Sequence, residues 1–326
     1  MQLKKIYDLV VAKGMEADPR GRKAVQQSLA KRKKAYEEMK DEDKEYFDPE
    51  SLANPYADTR ILYGTGKEEI KTILIGIDME AAEILLADRL SSKGRKIDLV
   101  ISHHPEGKAY ANLYEVMHMQ ADILNRLGGV PINIAESILE GRIKEVERRL
   151  SPANHARASD VAGLLNMPFM CMHTPADNMV ASFLQKIFDK KSPDTLGDIM
   201  KILKEIPEYN EAAKNNAGPK ILLGSSERRA GKIFVDMTGG TEGAKNIFES
   251  LANSGVGTIV GMHISDDHRK EAEKRHINAV IAGHISSDNL GVNLMIDEVL
   301  KHGKLEIIPC SGFRRFSRLE KRKTKQ

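Results

Sequence analysis

The stretch Ile97-Asp98-Leu99-Val100-Ile101-Ser102-His103-His104-Pro105 decides the reading of this chain. Its apolar, β-branched half has the composition of a short strand buried on both faces, and Pro105 closes it. Just upstream, Thr72-Ile73-Leu74-Ile75-Gly76-Ile77-Asp78 is a second run of the same kind, and residues 80 to 92 between the two read as helix. The order strand, helix, strand predicts parallel neighbours joined by a right-handed crossover. An α/β fold follows, in which ligands are expected outside the carboxyl ends of the strands. The two histidines stand at such an end.

Outward from this unit the alternation continues. Tyr110 to Leu127 reads as helix, Val130-Pro131-Ile132-Asn133-Ile134 as strand, 137 to 165 as helix with a break at Ser151-Pro152, and Phe169-Met170-Cys171-Met172 as strand. A helix from Thr195 to Ile206 and a polar, linker-like stretch over 207–219 come next. The pattern then starts again, with strands at Lys232–Asp236, Thr258–Gly261, Ala279–Ala282 and Leu305–Ile308 and helices at Ala244–Ser254, 266–276 and 287–301. Residues 3 to 46 carry apolar side chains at helical spacing, and Asp18-Pro19 suits the opening of a second helical segment. Residues 48–66, rich in Pro, Asn and Gly, read as loop. The expected organisation is a helical extension over 1–50, a first αβ half over 51–185, a connecting helix and linker over 186–220, a second αβ half over 221–312 and a basic tail over 313–326. No residue-level repeat relates the two halves.

Composition narrows the function classes. The chain has 326 residues, 41% of them hydrophobic, enough for packed cores. No run approaches the roughly 18 to 20 apolar residues of a membrane span. The first residues lack the apolar stretch of a signal peptide, so a cytoplasmic location is expected. The two cysteines, Cys171 and Cys310, form no CxxC motif and read as free thiols of a reducing compartment, which leaves nitrogen and oxygen as metal ligands. The net charge of +3 is too small to imply nucleic acid by itself. The basic stretches Arg20–Lys34 and Arg314–Lys325 can contact phosphates, or be the wet face of a helix and a solvated terminus. With no aromatic interleaving or base-reading motif beside them, nucleic acid is not the expected partner.

Three stretches place metal-type residues directly after apolar strands: Ser102-His103-His104-Pro105, His173-Thr174-Pro175-Ala176-Asp177 and Gly283-His284-Ile285-Ser286-Ser287-Asp288. Adjacent side chains in extended backbone point to opposite sides, so the His103–His104 pair serves two neighbouring ions better than one. Neutral imidazoles bind borderline divalent metals at about 2.0–2.1 Å. In the third stretch, the four-residue spacing at a helix start brings His284 and Asp288 to one face. One histidine at a strand end is ordinarily a hydrogen-bonded structural residue. Three such stretches, drawn from both halves, point to a metal centre.

These residues resemble the Nif-three-like family, dinuclear-metal proteins described as GTP cyclohydrolase I type 2 homologues. The resemblance runs through the strand Ile73–Asp78 and its helix, Asp98 to Pro105, His173-Thr174 with Asp177, Met237-Thr238-Gly239-Gly240, and Ala282-Gly283-His284 with Asp288 and Gly291. It covers roughly residues 55 to 312, apart from about 135–165. It implies two αβ halves with mixed sheets, and His103, His104, Asp177, His284 and Asp288 as ligands of two divalent ions (Zn, Fe, Mn, Co or Ni). It further implies a ring-shaped homo-hexamer, and a hydrolase of a nucleotide-like or cyclic amide or amidine small molecule. A non-enzymatic metal-binding regulatory or adaptor protein is the alternative. One carboxylate, Asp177 in this reading, is expected to bridge ions about 3.5–4 Å apart.

The chain departs from the family pattern at two places. Asp288 stands where the family usually has Glu, and Glu106 follows His-His-Pro where an apolar residue is common. Glu106 reads either as a proton-transfer group beside the metals or as an exposed loop carboxylate. His173 is a candidate substrate or proton-transfer residue. Asp78 is either an acceptor that orients an imidazole or an ordinary strand-end carboxylate. Thr238-Gly239-Gly240 before a helix is a candidate phosphate loop or a plain tight turn. In His263-Ile264-Ser265-Asp266-Asp267-His268, Ser265 or Asp266 is expected to cap the following helix.

Overall fold

A computed structural model describes residues 1–319; residues 320–326, the distal part of the basic tail, lie outside the described residues. The strands are β1 (Ile61–Tyr63), β2 (Thr72–Gly76), β3 (Leu99–Ser102), β4 (Phe169–Cys171), β5 (Lys220–Leu223), β6 (Lys232–Asp236), β7 (Val256–Gly261), β8 (Asn278–Ile281) and β9 (Glu306–Pro309). They form two mixed sheets, ordered β1-β4-β3-β2-β9 and β5-β8-β7-β6. In each, three parallel strands carry one antiparallel edge strand, β1 against β4 and β5 against β8. The halves therefore share one topology, and β9 returns from the second half to lie parallel to β2.

The apolar runs become central strands because helices cover both sheet faces. Ile73, Leu74, Ile75, Leu99, Val100 and Ile101 are all buried. The Leu3–Ala17 helix, an extension in sequence, is part of this core: Leu3, Ile6, Tyr7, Val10 and Val11 pack with Ile73, Ile75 and Met295. The α-amino group of Met1 donates to Ile70 O at 2.8 Å, anchoring the start of the helix beside β2.

Several local expectations are corrected. Val130–Ile134 is not a strand: a helix runs Ile132–Leu150, and Ala135, Leu139, Ile143, Val146 and Leu150 form its buried stripe. Helical periodicity over five turns outweighs a short β-branched start that follows Pro131, the residue before the helix. The single helix expected over Tyr110–Leu127 is instead a chain of short turns, Gly107–Ala111, Leu113–Val116, Met119–Ile123 and the π-helical Leu124–Gly128. The stretch 207–219 contains the helix Pro207–Lys214, whose buried Tyr209 hydroxyl lies 3.0 Å from Ser287 Oγ. The loop over 48–66 contains β1 and is wrapped around buried Arg60, which donates to Tyr56 O and Asp48 Oδ2, each at 2.6 Å. The described part of the basic tail is docked, not solvated. Arg315 pairs with Asp297, and Arg318 donates to both carboxylate oxygens of buried Glu208 at 2.7 and 2.6 Å. Both cysteines are free, and burial pushes the Cys171 thiol up to about 12. Among the described residues no helix is long and apolar enough to cross a membrane.

Two helices determine where the chemistry lies: Thr174–Lys191 after β4 and His284–Leu300 after β8. They touch at Gly291, where an added Cβ would stand 2.6 Å from Ala176 O and 2.9 Å from its carbonyl carbon. Because the obstacle is backbone, it cannot swing aside, and only glycine permits this approach. Gly291→Ala should therefore push the helices apart and cost about 1–3 kcal/mol of stability in denaturant unfolding. The same variant should bind divalent metal more weakly, because Asp177 adjoins Ala176 and Asp288 lies one turn before Gly291. Unchanged stability and metal affinity would show that the contact does not set the spacing.

Candidate metal centre

β3 ends at Ser102, but its register continues: His103 N donates to Gly76 O and His104 N to Ile77 O, both at 2.9 Å. Extended backbone then sends the two imidazoles to different places. His103 is fully buried with Nδ1 3.2 Å from Met172 O, and His104 is partly open with Nδ1 2.6 Å from Asp78 Oδ1. Donation from Nδ1 in each case leaves Nε2 with a free lone pair. Asp78 is thus an imidazole-orienting acceptor.

After β4, the helix Thr174–Lys191 opens with Pro175 in its first turn and carries Asp177. After β8, Gly283 turns at φ +106° and the helix starts at His284. Each helix sets a histidine and an aspartate four residues apart with the same spacing: His173 Nε2 to Asp177 Oδ2, and His284 Nε2 to Asp288 Oδ2, are both 3.6 Å. The halves thus repeat a short motif, His-x-x-x-Asp-Asn, at residues 173–178 and 284–289. At the end of β7, Met262-His263 occupies the place that His103-His104 holds after β3, and His263 packs on His284 with ring centroids 4.9 Å apart.

All five expected ligand residues converge. His103 Nε2 lies 3.5 Å from Asp177 Oδ1 and 3.5 Å from Asp288 Oδ1, while Asp288 Oδ2 lies 3.5 Å from His104 Nε2. Two sets of three ligand atoms form, His103–Asp177–Asp288 and His104–His284–Asp288, with Asp288 in both. A third set joins His103, His104 and His173, which brings His173 within ligand reach as well. Asp288, not Asp177, is the carboxylate common to the first two sets. The shorter side chain at this position still reaches imidazoles on both sides.

The donor set fits divalent metal. His103 Nε2, Asp177 Oδ1 and both carboxylate oxygens of Asp288 are buried without a hydrogen-bond partner. Buried polar atoms are ordinarily satisfied, so four orphaned atoms facing one another call for a bound group. Separations of 3.5–3.6 Å are longer than a hydrogen bond. They match two ligand atoms each about 2.1 Å from one ion at a tetrahedral angle, which lie about 3.4 Å apart.

The electrostatics have separate causes. Burial holds the His103 imidazole down at about 4, that is, neutral. Burial, with Asp288 beside it, outweighs the pull of His173 and pushes Asp177 up to about 8. Burial alone would also raise Asp288, but His103, His104 and His284 around it hold it well below the usual carboxylate range. Burial works against a charged His173, yet Asp177 and Asp58 raise it to about 9.

A cavity of about 590 Å³ opens beside these residues, lined by His104, His173, Asp177 and His284 on the metal side. Glu106 lines it too; burial, then Glu80, pushes its carboxyl up to about 7. The helix expected over Ala244–Ser254 runs Ile247–Asn253, so a stretch of loop separates Thr238-Gly239-Gly240 from it. The loop ties the halves together. Thr238 Oγ1 donates to Asn178 Oδ1 at 2.7 Å, and Gln120 Nε2 donates to Gly239 O and Thr241 O at 2.7 Å each. Ser265 caps the helix Asp266–Lys274 as expected, with His268 Nδ1 2.7 Å from its hydroxyl.

Two further residues belong to the site: Asp58, which has no signal in the sequence, and Asn178, whose signal is the recurring His-x-x-x-Asp-Asn. Buried Asp58 accepts from His173 Nδ1 at 2.8 Å and Thr174 Oγ1 at 2.6 Å, aiming His173 Nε2 at Asp177. Asn178 joins the loop above to the N-terminal segment, donating to Gly14 O at 3.2 Å and to the Tyr56 hydroxyl at 3.1 Å. Tyr56 in turn donates to Asp18 Oδ2 at 2.8 Å.

No family model and no curated protein match the chain. Among solved structures it is similar to a NIF3 superfamily protein from Sphaerobacter thermophilus, with 29% identity and a TM-score of 0.69 over 79% of this chain and 92% of that one. HcgD from Methanocaldococcus jannaschii, in its reduced form, is matched over 81% of this chain and 93% of that one, at 17% identity and a TM-score of 0.49. A Bacillus cereus protein related to NIF3 is matched over 82% and 94%, at 12% and 0.41. The first of these carries the comparison: the chain has a Nif-three-like fold.

Proposed function

We propose that the chain is a dinuclear metal-dependent hydrolase acting on a nucleotide-like or cyclic amide or amidine small molecule. One observation carries the reading: Asp288 belongs to two ligand sets at the floor of a cavity large enough for such a molecule. His103 and Asp177 would hold one ion with Asp288 Oδ1, and His104 and His284 a second with Asp288 Oδ2. Asp288, rather than Asp177, would be the carboxylate shared by the two ions. Nitrogen and oxygen donors suit Zn, Fe, Mn, Co or Ni. Two such ions lower the pKa of bound water and polarise a carbonyl or amidine carbon.

The chain's own groups supply positioning and proton transfer. Asp58 fixes the His173 tautomer, so that Nε2 faces the metal side of the cavity. Glu106, held near 7 and without a protein partner among the described residues, can take up and return a proton at neutral pH. Assembly into a ring-shaped homo-oligomer belongs to the same reading. Leu85, Leu86 and Leu164, exposed on two packed helices, offer apolar surface for it.

The full chain reconstituted with Mn, Fe or Zn should carry two ions by mass spectrometry and hydrolyse at least one compound of a nucleotide and cyclic-amidine panel. Asp288→Asn should lose both ions and His284→Ala one, each lowering turnover at least about a hundredfold. Two verified ions with no turnover across the panel would leave the non-enzymatic class instead. Metal binding should also depend on pH. Below about 8 Asp177 carries a proton that the metal must displace, so affinity rises with pH and levels off above that value. Calorimetry in buffers of different ionisation enthalpy should show proton release at pH 7 that vanishes near pH 9; release that does not change with pH contradicts the assignment of Asp177.

A further inference from the structure

The cavity's charges are unevenly used. Of its carboxylates away from the ion ligands, Asp78 is bound to His104 at 2.6 Å and Glu80 to Arg157 at 2.7 Å. Glu242 accepts from Ser265 N at 2.7 Å. Glu106 and Asp236 remain, and among the described residues neither has a hydrogen-bond or ion-pair partner in the protein. Arg157 is the one lysine or arginine among the lining residues, and it is already taken by Glu80. A ligand rich in N–H groups finds open acceptors on these walls.

Asp236 is the better placed of the two. It is the last residue of β6, level with Gly261 of β7, and it lies on the same wall as His263, which packs on His284. Its side chain is open to the cavity yet enclosed by surrounding protein, and burial with Glu242 nearby pushes its carboxyl up to about 6. It is therefore ionised at neutral pH, reached through the cavity, and given no counter-charge by the protein, a place that a donor-bearing ligand can take. With both oxygens free, a carboxylate accepts two parallel N–H bonds from a planar fork.

We infer that Asp236 is a specificity residue that takes the N–H edge of an amidine- or guanidine-type group on the cavity's ligand. The inference rests on the dinuclear reading above and narrows its substrate class. The ligand presents a carbonyl-like or anionic end to the metal residues and a donor-rich, neutral or cationic end to β6.

The test uses the full chain loaded with Mn, with benzamidine and benzoate as probes in calorimetry, and Mn content measured in parallel. Wild type should bind benzamidine. Asp236→Asn and Asp236→Ser should each bind benzamidine at least about tenfold more weakly, with Mn content and benzoate affinity unchanged. No benzamidine binding by wild type, or equal affinity across the three proteins, overturns the inference while leaving the metal reading intact. Failure of wild type to take up Mn overturns both.

Discussion

Asp177 and Asp288 are buried to 4% and 0% exposure, with oxygens that no protein donor satisfies. Desolvated carboxylates left unpaired are among the most destabilising groups a fold can contain. The surrounding structure is arranged to hold them there. Asp177 sits in the first turn and Asp288 at the start of the second turn of helices that follow parallel strands, and the two helices are pressed together at Gly291 against Ala176. The imidazoles of β3 are fixed between them by backbone register and by acceptors on Nδ1. A fold that concentrates its desolvation cost at one point, and lines that point with imidazole nitrogens, could hold a metal ion there.

The shared topology explains how such a centre arises. Two halves with the same strand order each deliver a His-x-x-x-Asp-Asn helix start, and the close packing of those helices brings the two starts together. The halves are not equivalent: only the first has two histidines after its second parallel strand, and only the first has an Asp58 behind its helix-start histidine. The N-terminal helix strengthens the asymmetry. Through Gly14 and, by way of Tyr56, Asp18, it reaches Asn178, next to Asp177, and Asn178 holds Thr238 of the second half. Residues far from the ligands in sequence thus set the position of the loop over the cavity.

The legible part of this arrangement is the part written in local pattern. Strand ends followed by histidines, and a four-residue His–Asp spacing at helix starts, are enough to identify five converging residues. What stays hidden depends on longer range. Asp58 lies beside a three-residue edge strand whose pattern is lost among Pro, Asn and Gly. Spacing places Asp177 and Asp288 near one another but does not tell which one lies between the imidazoles, since that depends on the crossing of two helices. The repeat is hard to see because, within the matched helix starts, only His, Asp and Asn recur. Val130–Ile134 misleads because a β-branched pentapeptide has the same composition at the start of an amphipathic helix as in a strand.

The central claim is that Asp288 is the hub of two adjacent metal positions. Anomalous diffraction from crystals of the Mn-loaded protein, collected at the manganese edge, tests it directly. The account predicts two peaks flanking Asp288, one against His103 and Asp177 and the other against His104 and His284. A single peak, or peaks that Asp288 does not touch, would contradict it.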